Sequence, residues 1–336
     1  MACSYPPAHA AVVVPTEAPQ PGEVVVKVQW TASSPADLHQ ADGNLVTDYP
    51  FILGCSFAGT IVAVGPEDPS AVAPDSKSLE VGDRVCGYAM WQQKQSGFQT
   101  YVTVPRHMTG RIPENLSMEA AVTLPVNLPW PVPPNYTSQE ADKPILVWGA
   151  AGSVGNYIVQ VLRHWGYRNL LAVASKKHHN ELKRFGATEV FDYSESNVVE
   201  QILAVAGHIP YDAPSSQQDC RPGTRVAVVV PIVIHHAMTK VEPQLTRDPS
   251  TVLVGEWKDG VEVIPIMTFF YQDNEYFKWH LQPDVIPALL RAGAIKPNKQ
   301  RIIEAETLLE RAQQALNLLR ERVPSGERLV WRISDS

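Results

Sequence analysis

The stretch from Lys143 to Tyr193, KPILVWGAAGSVGNYIVQVLRHWGYRNLLAVASKKHHNELKRFGATEVFDY, leaves this chain few folds to choose from. The apolar run Ile145-Leu146-Val147-Trp148 leads into Gly149, Gly152 and Gly155, and an apolar-periodic helix follows from Val154. A second apolar run, Leu170 to Ala174, arrives at the distance expected of a strand–helix–strand unit. Gly149 lets the strand turn sharply, Gly152 lets the backbone approach a pyrophosphate, and Gly155 lets the helix pack tightly on the strand. Phosphates then sit at the helix N-terminus, where unpaired N–H groups and the helix dipole attract negative charge. Strand before, helix after and second strand on time together predict a dinucleotide site.

The end of the second strand selects the nucleotide. A carboxylate about 20 residues past the glycines is the usual partner of a ribose 2′-hydroxyl. Here the chain reads Ala174-Ser175-Lys176-Lys177-His178, with no carboxylate. A hydroxyl and two ammonium groups suit a 2′-phosphate, so the pattern predicts NADPH rather than NADH. The alternative is a solvated helix start, which is what most lysine pairs are.

The 336 residues suggest two domains, with 44% hydrophobic and 19% charged residues as in ordinary globular proteins. The 29 prolines are dispersed, which points to extended loops rather than disorder. A net charge of −7 without a basic block argues against a nucleic-acid partner. No apolar run reaches the roughly 20 residues of a membrane span, and the N-terminus has no basic segment before a long apolar core. Cys3, Cys55, Cys86 and Cys220 are too scattered for a disulfide framework or a paired-cysteine metal site, so a reducing, cytoplasmic location is expected.

Residues 1 to about 128 read as mainly β, with short strands over Glu23–Val28, Phe57–Gly65, Asp83–Tyr88 and Gln99–Val104, a spacing that suggests a small barrel. Residues 129–142 form a proline-rich linker. Strand–helix–strand patterning then runs to about Gly255, followed by helices over Pro283–Ala292 and Glu306–Arg322 and a last strand over Arg328–Ile333.

Several segments carry a family resemblance: Ser34-Pro35-Ala36-Asp37-Leu38-His39-Gln40 with Asp42-Gly43, LGCSFAGTIVAVG (53–65), VGDRVCGY (81–88), LPVNL (124–128), residues 145–193, GTRVAVVVP (223–231), and IKPNKQRIIE with SGERLVWRI near the end. The chain resembles the medium-chain dehydrogenase/reductase superfamily, in its zinc-independent quinone- and enoyl-reductase branch, and looks similar to fungal trans-acting enoyl reductases of polyketide pathways. The resemblance implies an α/β chain. A GroES-like β-barrel catalytic domain would occupy 1–128, a Rossmann doubly wound parallel sheet binding NADPH 129–268, and a segment returning to the catalytic domain 269–336. It implies reduction of an activated C=C in an enone, a quinone or a carrier-bound polyketide enoyl substrate, by a monomer or homodimer with no membrane or nucleic-acid partner. The alternatives are zinc-free carbonyl or alcohol redox chemistry, or a non-catalytic partner protein that kept the fold.

By the same resemblance, Ser153 and Val154 join Gly149, Gly152 and Gly155 at the pyrophosphate. Ser175, Lys176 and His178 lie at the 2′-phosphate, with Tyr193 on the adenosine side. Pro231 and Ile232 border the nicotinamide, and Ser325 and Gly326 complete its surroundings. Zinc-dependent relatives carry Gly-His-Glu where this chain has Gly54-Cys55-Ser56, and a four-cysteine lobe that is absent here, so no metal is expected. His39 stands where related enoyl reductases have a lysine; it is read either as a donor to the substrate carbonyl or cofactor, or as a partly exposed loop histidine without a role. Asp37 is read as orienting a loop, and Cys55 as a small buried side chain.

Two places depart from the family. Relatives continue from LPVNL into a helix, whereas Leu128 here runs straight into Pro129-Trp130. Between Gly207 and Gly223 there is no apolar run for a fourth strand, although Ile145–Trp148, Leu170–Ala174, Glu189–Phe191, Arg225–Val230 and Val252–Val254 supply strands 1, 2, 3, 5 and 6. Either strands 1 and 5 pair directly, one strand short, or the sheet is destabilised and binds its cofactor weakly.

Overall fold

The computed structural model describes residues 9–42, 45, 50–68, 78–88, 92–125, 140–206, 225–236, 243–252 and 259–334. Residues 126–139, the stretch 207–224, Leu253 and Val254, Cys3 and Cys220 lie outside these, so both departures from the family fall largely beyond the described residues. The chain divides into two compact units. The first comprises Met1–Asn127, His235–Gln244 and Phe269–Ser336, and the second Leu128–Ile234 and Leu245–Thr268. His235–Gln244 therefore cluster with the first unit, although they fall inside the span 129–268 that the sequence assigns to the Rossmann domain.

The first unit opens with β1 (Glu23–Ala32), α1 (Pro35–Ala41), β2 (Ser56–Val64), β3 (Arg84–Tyr88), β4 (Tyr101–Pro105), β5 (Thr109–Arg111) and α2 (Met118–Ala121). The second holds β6 (Ile145–Trp148), α3 (Ser153–His164), β7 (Leu170–Val173), α4 (His179–Phe185), β8 (Glu189–Phe191), α5 (Val198–Ala206) and β9 (Arg225–Val229). Two strands that pair with each other follow, β10 (Ile232–His235) and β11 (Gln244–Thr246), and then β12 (Glu262–Ile266). The chain ends with α6 (Glu275–His280), α7 (Ile286–Arg291), β13 (Lys299–Ile302), α8 (Leu308–Arg320) and β14 (Glu327–Arg332).

Valines alternate along β1, and the period of two sends Val24, Val26 and Val28 to one face, where all three are fully buried. One edge of β1 pairs antiparallel with β2. Along the other, Glu23–Lys27 meet β4 and Trp30–Ala32 meet β14. The result is a seven-stranded sheet, with the GroES-like barrel's interior filled by Phe57, Ile61, Met108 and Trp331. Phe98 meets Trp331 edge-on, with ring centroids 4.7 Å apart. The C-terminal segment is thus part of the first unit's core. Its α8 starts at a capping box, in which Thr307 Oγ1 accepts from the Glu310 N–H and the Glu310 carboxylate accepts from the Thr307 N–H.

In the second unit β6, β7 and β8 run parallel, with Trp148, Val173 and Phe191 aligned at their carboxyl ends. Helices cover both faces. Val147, Ala172 and Ala174 cluster with Val159 of α3 and Leu182 of α4, while Leu171, Val173 and Phe191 cluster with Val198 and Ile202 of α5. This is the doubly wound Rossmann pattern. The remaining parallel pair is separate: β9 joins β12 in register from Arg225↔Glu262 to Val229↔Ile266. Direct pairing of strands 1 and 5 is not what forms, since β6 and β9 share no ladder. The partner of β9 is a strand at 262–266 that the sequence pattern does not mark; the sixth strand expected at Val252–Val254 lies largely outside the described residues, and Pro249–Thr251 before it form a 3-10 turn.

Candidate functional site

In the second unit the site residues collect at the carboxyl ends of β6, β7 and β8, where ligands bind in open parallel sheets. Leaving β6, Gly149 adopts φ +70°, a left-handed conformation that only glycine takes without strain, and the space a Cβ would fill there is open. The Gly152 N–H donates to the Gly149 carbonyl at 2.9 Å and closes the turn. At Gly155 a Cβ would lie 2.5 Å from that same carbonyl and 2.9 Å from Ala150 Cα, so the helix can approach only because the residue is glycine. The cap of α3 is Gly152, which brings no side-chain oxygen to the first turn, and no acidic residue follows it there. Ser153, Val154 and Gly155 make up that turn, a positive dipole end bordered by open space, which fits a phosphate.

One strand over, β7 ends in Ser175 and a 3-10 turn of Lys176, Lys177 and His178, with both lysines exposed. Tyr193, beyond β8, donates its hydroxyl proton to Ser175 Oγ at 3.3 Å and thereby joins the two strand ends. Asp192 is the residue that the sequence reading passed over. Its carboxylate accepts from the Lys176 N–H at 3.3 Å and from the Ser194 N–H and hydroxyl at 3.0 and 2.7 Å. The Ser194 bonds hold this carboxyl below its usual range. The acid therefore braces the lysine turn from the third strand. Its sequence signal is the Asp192-Tyr193 pair that follows β8. Pro231, joined to Val230 by a cis peptide, follows β9, and Ile232 opens β10.

In the first unit His39 sits in the last turn of α1 and is 4% exposed. The expectation of a partly exposed loop histidine is therefore corrected: Pro35 at the helix start and the Ser34–Asp37 capping box build a helix there. Asp37 Oδ2 accepts from the Ser34 N–H at 2.6 Å and the Ser34 hydroxyl at 2.9 Å. His39 Nδ1 is buried without a partner. Burial pushes the imidazole's pKa down and outweighs the pull of Asp42, so the ring is neutral near pH 7. Asp42 is itself tied to Arg320 of α8 at 2.5 Å. Asp37 is fully buried with its pKa raised by desolvation, and the Cys55 thiol hydrogen-bonds to it. Behind them the buried Arg328 guanidinium donates to Ser33 O at 2.6 and 3.1 Å and to Thr123 O at 2.9 Å. Ser325 and Gly326 form the bend before β14, with Gly326 at φ +71°. Among the described residues no three His, Cys, Asp or Glu side chains converge as a metal site would need, and no helix is long and apolar enough to cross a membrane.

Residues 20–114 match the alcohol dehydrogenase GroES-like domain. A trans-enoyl reductase of Aspergillus terreus is 31% identical over 201 residues, which span 56% of this chain and 65% of that protein. A trans-enoyl reductase of Aspergillus japonicus is 28% identical over 341 residues, 94% of this chain and 90% of its own length. Among solved structures, the CurK enoyl reductase superimposes with TM-score 0.68 at 17% identity, covering 95% of this chain and 93% of its own. A mycobacterial protein complexed with NADPH superimposes with TM-score 0.67 at 21% identity, covering 96% and 94%.

Proposed function

We propose that this chain, which has the fold of the medium-chain dehydrogenase/reductase superfamily and resembles fungal trans-enoyl reductases in sequence, is an NADPH-dependent, zinc-independent reductase of activated carbon–carbon double bonds. The observation that carries this reading is the pairing, on neighbouring strand ends, of an open glycine turn at a helix start with an exposed hydroxyl- and lysine-bearing turn. The first suits a pyrophosphate and the second a 2′-phosphate. Asp192 does not oppose this, because its oxygens are already occupied by Lys176 and Ser194.

Bound there, a reduced nicotinamide supplies a hydride. An α,β-unsaturated carbonyl would take that hydride at its β-carbon and a solvent-derived proton at its α-carbon, so that the double bond becomes a single bond and the nicotinamide is oxidised. Negative charge gathers on the carbonyl oxygen on the way. A protein without a Lewis-acid metal must meet that charge with hydrogen-bond donors. His39, neutral and with an unpartnered buried nitrogen, is the candidate donor from α1. The substrate is a free enone, a quinone or a polyketide enoyl chain held by a carrier protein, met by a cytoplasmic monomer or homodimer.

Two measurements test this. At a hundredfold excess over Kd, NADPH should stabilise the protein by about 2.7 kcal/mol, visible as a raised Tm. NADPH oxidation should follow on adding an enone from a small panel. No thermal shift would sink the cofactor site. A shift without turnover on any enone, quinone or simple ketone would point to a non-catalytic partner protein, and turnover on ketones alone to carbonyl chemistry.

A further inference from the structure

Two arginines of the C-terminal segment hold the two ends of α1, the short helix that carries His39. At its start Arg328 donates to Ser33 O, the carbonyl just before the Ser34 cap. At its end stands Asp42, the C-cap residue, whose side chain is wholly out of water. A carboxylate there is disfavoured twice, by burial and by the negative end of the helix dipole. The guanidinium of Arg320, the last residue of α8, offsets both. Its Nη2 donates to Asp42 Oδ1 at 2.5 Å and its Nε to Oδ2 at 3.2 Å, a two-pronged bond in which the arginine side chain is 9% exposed. Apolar contacts seat the pair, since Leu38 and Ala41 of α1 cluster with Leu316 and Leu319 of α8.

Asp42 follows His39 by three residues, the spacing at which side chains meet on a helix, and its charge reaches the imidazole. On the same helix, Asp37 is bound into the Ser34 cap. From the segment after β10, His236 faces the ring and opposes a charge on it, while Arg322, beyond the end of α8, acts on His236. Asp42 is therefore the acid that would draw a proton onto His39, and Arg320 occupies it. We infer that Arg320 is a positioning residue for His39: by holding both oxygens of Asp42 it fixes the end of α1 and keeps the imidazole a neutral hydrogen-bond donor. Its meaning for catalysis rests on the reductase reading above, in which His39 meets the substrate's carbonyl oxygen. Its hold on the ring does not.

The test is the titration of His39 in the full chain, followed by NMR with carbon-13-labelled histidine and assigned by the signal lost in H39Q. Arg320→Gln frees the carboxylate and should raise the His39 midpoint by about 1 pH unit. Asp42→Asn leaves the guanidinium without its acid and should lower it. In the double variant two neutral amides replace the ion pair, and His39 should titrate as in the wild type; Arg320→Lys, which keeps the charge, should stay close to it. A loss of structure alone would not move the two single variants in opposite directions. An unmoved midpoint in a single variant, singles that shift the same way, or a double variant that stays shifted each overturns the inference. If only one single variant folds, its direction decides; if neither folds, the pair is a brace for the helix and the inference falls. With NADPH and 2-cyclohexenone, the midpoint of the kcat–pH profile should follow that of the imidazole from variant to variant, and a profile that does not follow removes Arg320 as a positioning residue for the reaction. NMR midpoints that move as expected, without enone turnover even in the wild type, overturn the reductase reading and leave the hold of Arg320 on His39 standing.

Discussion

Both units rest on β-sheet, yet they close their sheets to different degrees. In the first, β1 is paired along both edges and its inward valines are fully buried. In the second, β7 is buried along its length between β6 and β8, but β9 alternates exposed and half-buried residues and meets only β12 among the described strands. Val229 is 41% exposed and Trp148, at the end of β6, 40%. Apolar area stabilises only when it leaves water, at about 25 cal/mol per Å². Val229 of β9 therefore contributes less than a fully buried valine of β1, by something under twofold. Strand edges without a ladder partner leave backbone N–H and C=O groups dependent on water. The first unit holds itself together through its core, whereas the second has more to gain from a bound ligand.

The sharpest way to break this contrast is to truncate one residue in each sheet. Trp331→Ala removes the largest fully buried side chain of the first unit and should cost about 3–5 kcal/mol, enough to unfold it near room temperature. Val229→Ala should cost less than about 1 kcal/mol, because much of the side chain already faces water. Urea denaturation followed by limited proteolysis reads both. Similar losses would mean that β9 is covered after all.

The closed unit has a weakness of its own. His107 lies edge-on against Trp279 at 4.9 Å, and burial, helped by Lys278, lowers its pKa from 6.5 to about 4. A depressed folded-state pKa means that the neutral ring is favoured by folding, so its contribution is full above pH 6.5 and is lost as the pH falls toward 4. Over that window the loss is on the order of 3 kcal/mol. His39 shifts in the same direction, so the measurement is a difference: His107→Leu should flatten the fall in urea midpoint between pH 7 and pH 5. An unchanged slope would remove His107 as the acid trigger.

What the sequence disclosed was local. The glycine turn, the strands β6 to β9 and the strands that meet β1 follow from periodicity and turn residues that lie next to each other in the chain. β5 and β13 are short and carry no apolar alternation, and α1 hides in a segment whose helical signal is the Ser34–Asp37 cap rather than a periodic face. That β12 adjoins β9, and that β6 and β9 share no ladder among the described residues, are facts of pairing between distant residues. The candidate site shows the same division. The phosphate-side residues were legible because they follow strand ends, while the unpartnered, buried Nδ1 of His39 exists only once the neighbours are placed.

Within the second unit, Gly155→Ala tests how much of the fold depends on the turn. The added carbon meets the Gly149 carbonyl, backbone that cannot rotate away, so a cost of about 1–3 kcal/mol is expected together with loss of the NADPH-induced rise in Tm. A stable variant that still responds to NADPH would show that α3 can back away from the strand.

The smallest effect discriminates most finely. Lys176 is exposed, so its attraction for a phosphate is that of a surface charge, about 1 kcal/mol. Lys176→Gln should therefore weaken NADPH binding by roughly fivefold and leave NADH binding unchanged, because only the former carries the 2′-phosphate. The effect should shrink at high salt, since exposed charges are screened over about 8–10 Å at ordinary ionic strength. Isothermal titration with both cofactors at low and high salt decides it. Equal weakening for NADPH and NADH would mean that Lys176 acts through the Asp192 brace on the turn rather than through the phosphate, because its backbone N–H, not its charge, holds that bond.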